Sequence, residues 1–250
     1  MKLSFPRIFL LFISVSVSAA VVAQPTTGTR PDTTRKTPST STTGPKPYKD
    51  VITDKAITRK GMFTVHKVDD KYYFEFPNKL LGQDILVVNR VSKSSVESPK
   101  SFFGYAGDQI GQNVIRFERG PNNKVFLKNI SYRVNPTDST KPMYRSVLNS
   151  NIQPIALAFD IKSFAPDVDG GGVVIDITDN ITADNEIFGF AGFAKSQFQA
   201  GNFQNDKSYI VSVKPFPGNV EITTIKTFLK SSTPVTGILQ TPCTVQCRIR

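Results

Sequence analysis

Residues 61–76 read GMFTVHKVDDKYYFEF, and this stretch decides the fold class. Apolar and polar side chains alternate on both sides of Asp69 and Asp70, a pair that favours a tight turn. Successive strand residues point to opposite faces, so the alternation predicts a β-hairpin with one buried face. Tyr72 and Phe74 share a face of this hairpin, which indicates core packing more than a binding surface.

Similar patterns recur along the chain. Residues 84–91 predict a third strand that completes a meander with the hairpin, and residues 113–119 and 124–134 predict a second hairpin around the turn at 120–123. We expect further strands at 155–161, 173–178, 209–214 and 221–228, a short helix at 142–149, and irregular or partly helical chain at 183–205. These short strands, separated by Gly, Pro and Asn, predict a mainly β, antiparallel fold.

The N-terminus has the pattern of a secretory signal. Lys2 and Arg7 precede an apolar run over 8–22, and small residues lead to a predicted cleavage site after Ala23. The run is shorter than the ~20 residues of a spanning helix, so we expect no transmembrane segment after cleavage. The predicted location is periplasmic, outer-surface or secreted.

The remaining chain divides by composition. After the signal peptide at 1–23, residues 24–47 are rich in Thr, Pro and Ser and predict a disordered tether. A small β accessory domain is expected at 48–95, made of hairpins or a meander. A larger β-rich α+β domain, expected to be incomplete, follows at 96–237, and residues 238–250 form an atypical tail.

Charge and cysteines restrict the partners. The formal net charge is +11, and in an exported protein it suggests an anionic envelope surface and argues against nucleic acid. Cys243 and Cys247 lack a second pair of zinc ligands, and an exported location permits a disulfide between them that would close only a tiny loop.

No catalytic constellation is found in the sequence. His66 is the sole histidine, so neither an HExxH zinc site nor a triad can be assembled, and a position on a strand face is expected for it. Asp167 and Asp169 begin a calcium-like loop that has Thr178 where the bidentate Glu belongs, which favours a turn. The glycine-rich stretch 104–111 precedes a strand, unlike a phosphate loop. The sequence therefore predicts no catalytic, cofactor-binding or metal-ligating residue.

An ordered string of motifs resembles a known family. The first part combines Gly61-x-Phe63-x-Val65-His66 with KYYFExP at 71–77, LLG at 80–82 and LxVxR at 86–90. It resembles the small N-terminal domain of unknown function in secreted bacterial zinc-dependent metalloproteases. The stretches VIRFER at 114–119, VVIDIT at 173–178 and FPxNVE at 216–221 resemble the second accessory domain of the same proteins.

The resemblance implies a non-catalytic accessory region whose catalytic HExxH domain, with its zinc, is absent from this chain. A truncated or frame-shifted product would explain this, and the strand at 221–228 would then have an unpaired edge. Expected partners are that catalytic domain or a polypeptide substrate, for a role in folding, latency or substrate positioning. The alternative is a free-standing cell-envelope binding or adhesion module.

Overall fold

The computed structural model describes residues 44–95, 104–133, 140–166, 170–230 and 238–249. They lie in one compact unit, Thr43–Arg250. The predicted signal peptide at 1–23 and the predicted tether up to residue 43 lie outside the described residues.

The chain forms strands joined by short helices. The strands are β1 (Ile57–Arg59), β2 (Thr64–Val68), β3 (Lys71–Pro77), β4 (Asp84–Val91), β5 (Gln109–Gly120), β6 (Lys124–Asn129), β7 (Ile155–Ala165), β8 (Gly172–Asp176), β9 (Ala200–Phe216), β10 (Asn219–Lys230) and β11 (Ile238–Ile249). The helices are α1 (Tyr48–Val51), α2 (Pro142–Ser150), α3 (Thr178–Thr182) and α4 (Gly192–Gln197), with a 3₁₀ turn at Asn78–Leu80.

All these strands belong to one 11-stranded sheet in the order β1-β2-β3-β8-β7-β6-β5-β4-β11-β10-β9. Every pairing in it is antiparallel. The predicted mainly β, antiparallel class is confirmed. Sheet pairing is continuous from β3, in the expected small domain, to β8, in the expected larger one.

Two expected pairings are wrong. β4 does not complete a meander, because β3 pairs with β8 while β4 pairs with β5 and β11. The 3₁₀ turn and Gly82, whose N–H donates to the Phe117 carbonyl at 2.8 Å, direct the chain away from the hairpin. The strand at 221–228 has no unpaired edge either, since β10 pairs with β9 on one side and β11 on the other.

Aromatic residues fill the interior. Phe63, Phe74 and Phe76 project from the first hairpin and its loop, and Phe117 projects from β5 to meet them. The Phe76 ring centroid lies 4.5 Å from that of Phe63 and 4.4 Å from that of Phe117. Alternation in β3 buries Tyr72, Phe74 and Phe76, as the sequence predicts.

The sheet curls so that its two ends approach each other. Val65 of β2 and Val213 of β9 belong to the same buried cluster, although they lie near opposite ends of the strand order. The Met62 N–H donates to the Phe216 carbonyl at 2.8 Å and joins the loop after β1 to the end of β9. A seam therefore runs between β9 and the β1–β3 end of the sheet. Within the described ranges, no helix is long and apolar enough to span a bilayer.

Candidate functional site

A groove opens along the seam, away from its closed end at Met62 and Phe216. It consists of two adjoining cavities of about 210 and 420 Å³ that share Lys67 and Tyr72. The smaller cavity is lined by Ile57, Arg59, Val65, Lys67, Tyr72 and 211–213; the larger is lined by Lys67, Asp70, Tyr72, Thr178, Asp179, Thr182, Asn205 and 208–210. We call the two together the seam groove.

The wide end of the seam groove presents exposed polar side chains. Asp70, Asp179 and Asn205 line the larger cavity, and within the described ranges no hydrogen bond or ion pair occupies their side chains. Tyr209 is 54% exposed at the same place. Arg59 lies at the opposite, narrow end, so the groove is acidic at one end and basic at the other.

Local structure fixes the two carboxylates. Asp70 follows Asp69, whose φ of 52° is a left-handed conformation that Asp tolerates in tight turns. Asp179 lies in α3, which starts where the Asp176 carboxylate accepts hydrogen bonds from the Thr178 N–H and hydroxyl at 3.1 and 2.8 Å. The predicted solvated turn at 69–70 is therefore one wall of a groove.

One wall of the groove is an open strand edge. β9 is the terminal strand of the sheet and pairs with β10, so its other edge faces the groove from Ser208 to Val213. Its register shifts at Val211 and again over 205–208. There the Ser208 hydroxyl donates to the Gln204 carbonyl at 2.7 Å and accepts from the Thr227 N–H at 3.0 Å, which stabilises the bulge.

His66 is part of a closed structural network. The imidazole is 2% exposed, with Nδ1 2.8 Å from the Thr58 hydroxyl and Nε2 3.1 Å from Glu75 Oε2. The Tyr48 hydroxyl donates to the same Glu75 oxygen at 2.7 Å. Both ring nitrogens are engaged, and the network links α1 and β1 to the β2–β3 hairpin.

The electrostatics of this network are set by Glu75. Burial raises the pKa of the Glu75 carboxyl, but hydrogen bonds from His66 and Tyr48 outweigh burial and hold that pKa below its ordinary value. Burial and the same carboxylate raise the pKa of Tyr48. An ionised Glu75 beside a neutral phenol therefore acts as an anchor, and neither group is free to accept a ligand.

A second charged cluster is also satisfied internally. Asp84 accepts from Arg116 Nε at 2.7 Å and from the Tyr132 hydroxyl. Burial raises the pKa of Asp84, and these hydrogen bonds reverse the shift and lower it. Glu118 accepts from Lys128 at 2.5 Å beside this cluster. The pairing of β4, β5 and β6 brings together Asp84, Arg116, Glu118 and Lys128, and Tyr132 reaches Asp84 from the chain after β6.

Lys226 carries a charge in the interior. Its side chain is fully buried, and its Nζ donates to the carbonyl of Ala183 and, at 3.3 Å, to that of Thr182. These carbonyls belong to the last residue of α3 and the residue after it, where helix carbonyls lack helical partners. The sequence places Lys226 on one strand face with Ile222 and Phe228, and all three side chains are buried.

The other motifs singled out from the sequence have structural roles. In the glycine-rich loop, the N–H groups of Gly104 and Tyr105 both donate to the Asp108 carboxylate at 2.8 Å, so these two donors are not available to a phosphate. Asp167 and Asp169 lie outside the described residues. β11 is extended through Cys243 and Cys247, which places their Cα atoms about 13 Å apart by strand rise. A disulfide bridges at most about 7 Å between Cα atoms, so the strand is incompatible with the permitted bond.

Sequence reasoning did not identify the groove. Asp179 and Asn205 are separated by 26 positions in a region whose pattern has no clear period, and only the curvature of the sheet brings them to Asp70. No group of three or more His, Cys, Asp or Glu side chains suited to a metal occurs in the part of the chain that the structure describes.

Comparison with known proteins identifies two domain families. A model described as domain of unknown function DUF5118 matches residues 45–94, and one described as domain of unknown function DUF5117 matches residues 107–248, more than half of the chain. The second match includes β11 and both cysteines. No curated protein matches the chain, and no solved structure does.

Proposed function

We propose that this chain, which belongs to the DUF5117 family, is a non-catalytic accessory region of an exported zinc-dependent metalloprotease. In this role it assists the folding, latency or substrate positioning of a catalytic domain that supplies the zinc. Its partners are that domain or a polypeptide substrate. The export signal at 1–23 directs the protein out of the cytoplasm.

The state of His66 carries the non-catalytic part of the proposal. Catalytic zinc sites hold the metal with about three protein ligands and leave one position open for water. This sequence has one histidine, and its two ring nitrogens are bonded to Thr58 and Glu75. The His66 imidazole, which a zinc site would require as a ligand, is therefore already used in hydrogen bonds that join strands.

The motif string supports the association with a protease. The motifs at 61–90 and 114–221 occur in the order expected for the accessory domains of secreted metalloproteases. The DUF5118 and DUF5117 matches follow the same order along the chain. A single sheet that links both segments suits a rigid scaffold beside a catalytic domain.

The experiment is affinity purification of the tagged protein from the organism that encodes it. We expect the chain purified under denaturing conditions and refolded to contain substoichiometric zinc and to leave casein intact. We expect the native preparation to contain a casein-cleaving activity that a zinc chelator abolishes, together with peptides of an HExxH protein. The mature chain is expected to begin at Gln24.

The control is the Phe76→Ala protein, tested between its lowered melting temperature and that of the parent, because an association that survives there does not depend on the fold. Stoichiometric zinc in the refolded chain would overturn the non-catalytic assignment. A native preparation free of zinc-dependent protease would overturn the association.

A free-standing cell-envelope binding module is the second candidate. The seam groove favours it, because polar side chains in an open cavity are available to an external ligand. Sedimentation of the purified chain with isolated cell envelopes, without any protease present, would support this candidate.

A further inference from the structure

We infer that the seam groove binds an extended polypeptide segment, which pairs with the open edge of β9 and inserts a basic side chain between Asp70 and Asp179. The inference rests on the proposed function and deepens it, because an accessory region that positions a polypeptide needs a site that binds the polypeptide main chain. Three independent features of the groove lead to it.

The first feature is the composition of the open edge. Residues 209–213 of β9 read YIVSV and carry no charge, although Lys207 and Lys214 stand on either side. Natural edge strands are usually protected by charges, proline, bulges or short length. Here two lysines and the register shift at Val211 provide part of that protection, yet β9 pairs only with β10 among the described strands, so its outer N–H and C=O groups remain a template for another strand. Tyr209 and Val211 are 54% and 50% exposed, so this edge presents apolar side chains as well as open main chain.

The second feature is the elongated shape of the site. The two cavities follow β9 from Asn205 to Val213, and the extended part, 209–213, rises about 13 Å beyond the bulge at 205–208. A polymer in strand conformation matches such a span, whereas a compact metabolite occupies one cavity. Strand addition draws affinity from main-chain hydrogen bonds and specificity from pockets for alternate side chains.

The third feature is charge. Asp70 and Asp179 both line the wide cavity, and among the described residues neither carboxylate makes a hydrogen bond or ion pair, although Asp179 attracts the nearby Lys71 ammonium. The lysine that lines this cavity, Lys67, has its Nζ 5.6 Å from the ring centre of Tyr72. Two open carboxylates therefore face the space that one side chain of an added strand would enter, and a Lys or Arg complements them.

The test measures fluorescence anisotropy with labelled strand-forming peptides and the purified chain. The probe is acetyl-TVSVKVSV-amide, and its matched control is the same peptide with Glu in place of Lys. We expect saturable binding of the lysine peptide and at least about tenfold weaker binding of the glutamate peptide.

Variants of the protein test whether Asp70 and Asp179 bind the basic side chain of the peptide. The double change Asp70→Asn and Asp179→Asn is expected to weaken binding of the lysine peptide about tenfold. It is also expected to remove the preference for the lysine peptide over the glutamate peptide. The control double change, Asp50→Asn and Asp54→Asn, alters the charge equally at exposed positions outside the groove and is expected to leave binding unchanged.

Backbone methylation tests the strand pairing. Only alternate N–H groups of an added strand face β9. N-methylation of one alternate set in the peptide is expected to abolish binding, whereas methylation of the other set leaves it within about twofold. Equal effects of the two sets, or equal affinity for the lysine and glutamate peptides, would overturn the inference.

Ligands of the seam groove other than an extended polypeptide would give different experimental results. Concentration-dependent dimerisation that the peptide cannot compete with would assign the edge to a second copy and overturn the inference. Binding of soluble envelope oligosaccharides, blocked by the Asp70 and Asp179 changes, with no peptide binding would also overturn it. Because anisotropy needs no protease, a failure here is distinguishable from a failure to co-purify with one.

Discussion

Phe76→Ala tests whether the two family segments form one cooperative unit. Phe76 is fully buried in the segment matched at 45–94, and its ring centroid lies 4.4 Å from that of Phe117 in the segment matched at 107–248. Its other close neighbour, Phe63, is 4.5 Å away. Removing this ring therefore removes contacts on both sides of the segment boundary.

The expected loss follows from burial. Truncation of a buried Phe to Ala costs about 3–5 kcal/mol, and close ring pairs contribute about 0.5–1.5 kcal/mol to such a loss. We expect the free energy of unfolding to fall by about 4 kcal/mol. For a unit of about 200 residues this lowers the melting temperature by about 8–16 °C.

The assay is unfolding in urea, monitored by far-UV circular dichroism and by hydrogen exchange. Hydrogen exchange is measured separately for residues 45–94 and 107–248. Since the protein has no tryptophan, hydrogen exchange replaces indole fluorescence as the second probe. We expect both segments to lose protection at the same urea concentration. In the variant, we expect this concentration to be lower, and by the same amount for both segments. Phe164→Ala is the control, because this ring is 44% exposed and its removal should cost less than about 1 kcal/mol.

Two separate transitions, with only one shifted by Phe76→Ala, would refute the reasoning and establish two independent domains. A loss below about 1 kcal/mol would show instead that the surrounding rings collapse into the space.

Three further predictions concern single contacts. Glu75→Gln should cost about 1.5–3 kcal/mol at pH 7. Because folding lowers the pKa of Glu75, its stabilisation is complete above the ordinary value of 4.5 and is lost as pH falls through the folded value, so the urea midpoints of variant and parent should draw together as pH falls below 4.5. Lys226→Met should cost about 1.5–3 kcal/mol in urea unfolding, whereas Lys214→Met, at an exposed site, should change stability by less than about 0.5 kcal/mol. Gly61→Ala places a Cβ 2.8 Å from backbone atoms across the seam and should speed hydrogen exchange at the end of β9, whereas Gly218→Ala meets nothing within 4 Å and should not. Equal effects within either matched pair, or a difference between urea midpoints that does not shrink as pH falls below 4.5, would contradict the corresponding account.

Local structure was largely predictable because it follows local periodicity. The alternation through Phe74 and Phe76 identifies β3 and its buried face, and α2 begins at the expected Pro142. Strand partners were not predictable in the same way. β4 pairs with β11, more than 150 positions further along the chain, and nothing in the sequence of either strand identifies the other as its partner. Register is decided by the packing of the whole sheet, which a window of sequence does not contain.

The site was less predictable than the fold for a related reason. Asp70 reads as a solvated turn residue in the sequence, and its turn is confirmed. Its neighbour in the groove, Asp179, lies on a helix of five residues, which begins where Thr178 donates hydrogen bonds to the Asp176 carboxylate. A groove assembled by curvature from a turn, a short helix and a bulge leaves no spacing motif to detect.

The bulge in β9 explains why the seam stays open. Four residues of β9, 205–208, stand opposite one residue of β10, so the ladder is interrupted and the strand bends there. Beyond the bulge the strand returns towards the first hairpin and meets it where the Met62 N–H reaches the Phe216 carbonyl. A regular β9 could run beside β1 along its whole length and close the sheet as a barrel, which would abolish both edges. The outer main-chain groups of 209–213 have no strand partner among the described residues, whereas the other long described strands are paired on both sides. Since an open apolar edge risks aggregation unless it is covered, its retention beside two carboxylates that make no hydrogen bond or ion pair among the described residues favours a groove that is filled by a partner strand.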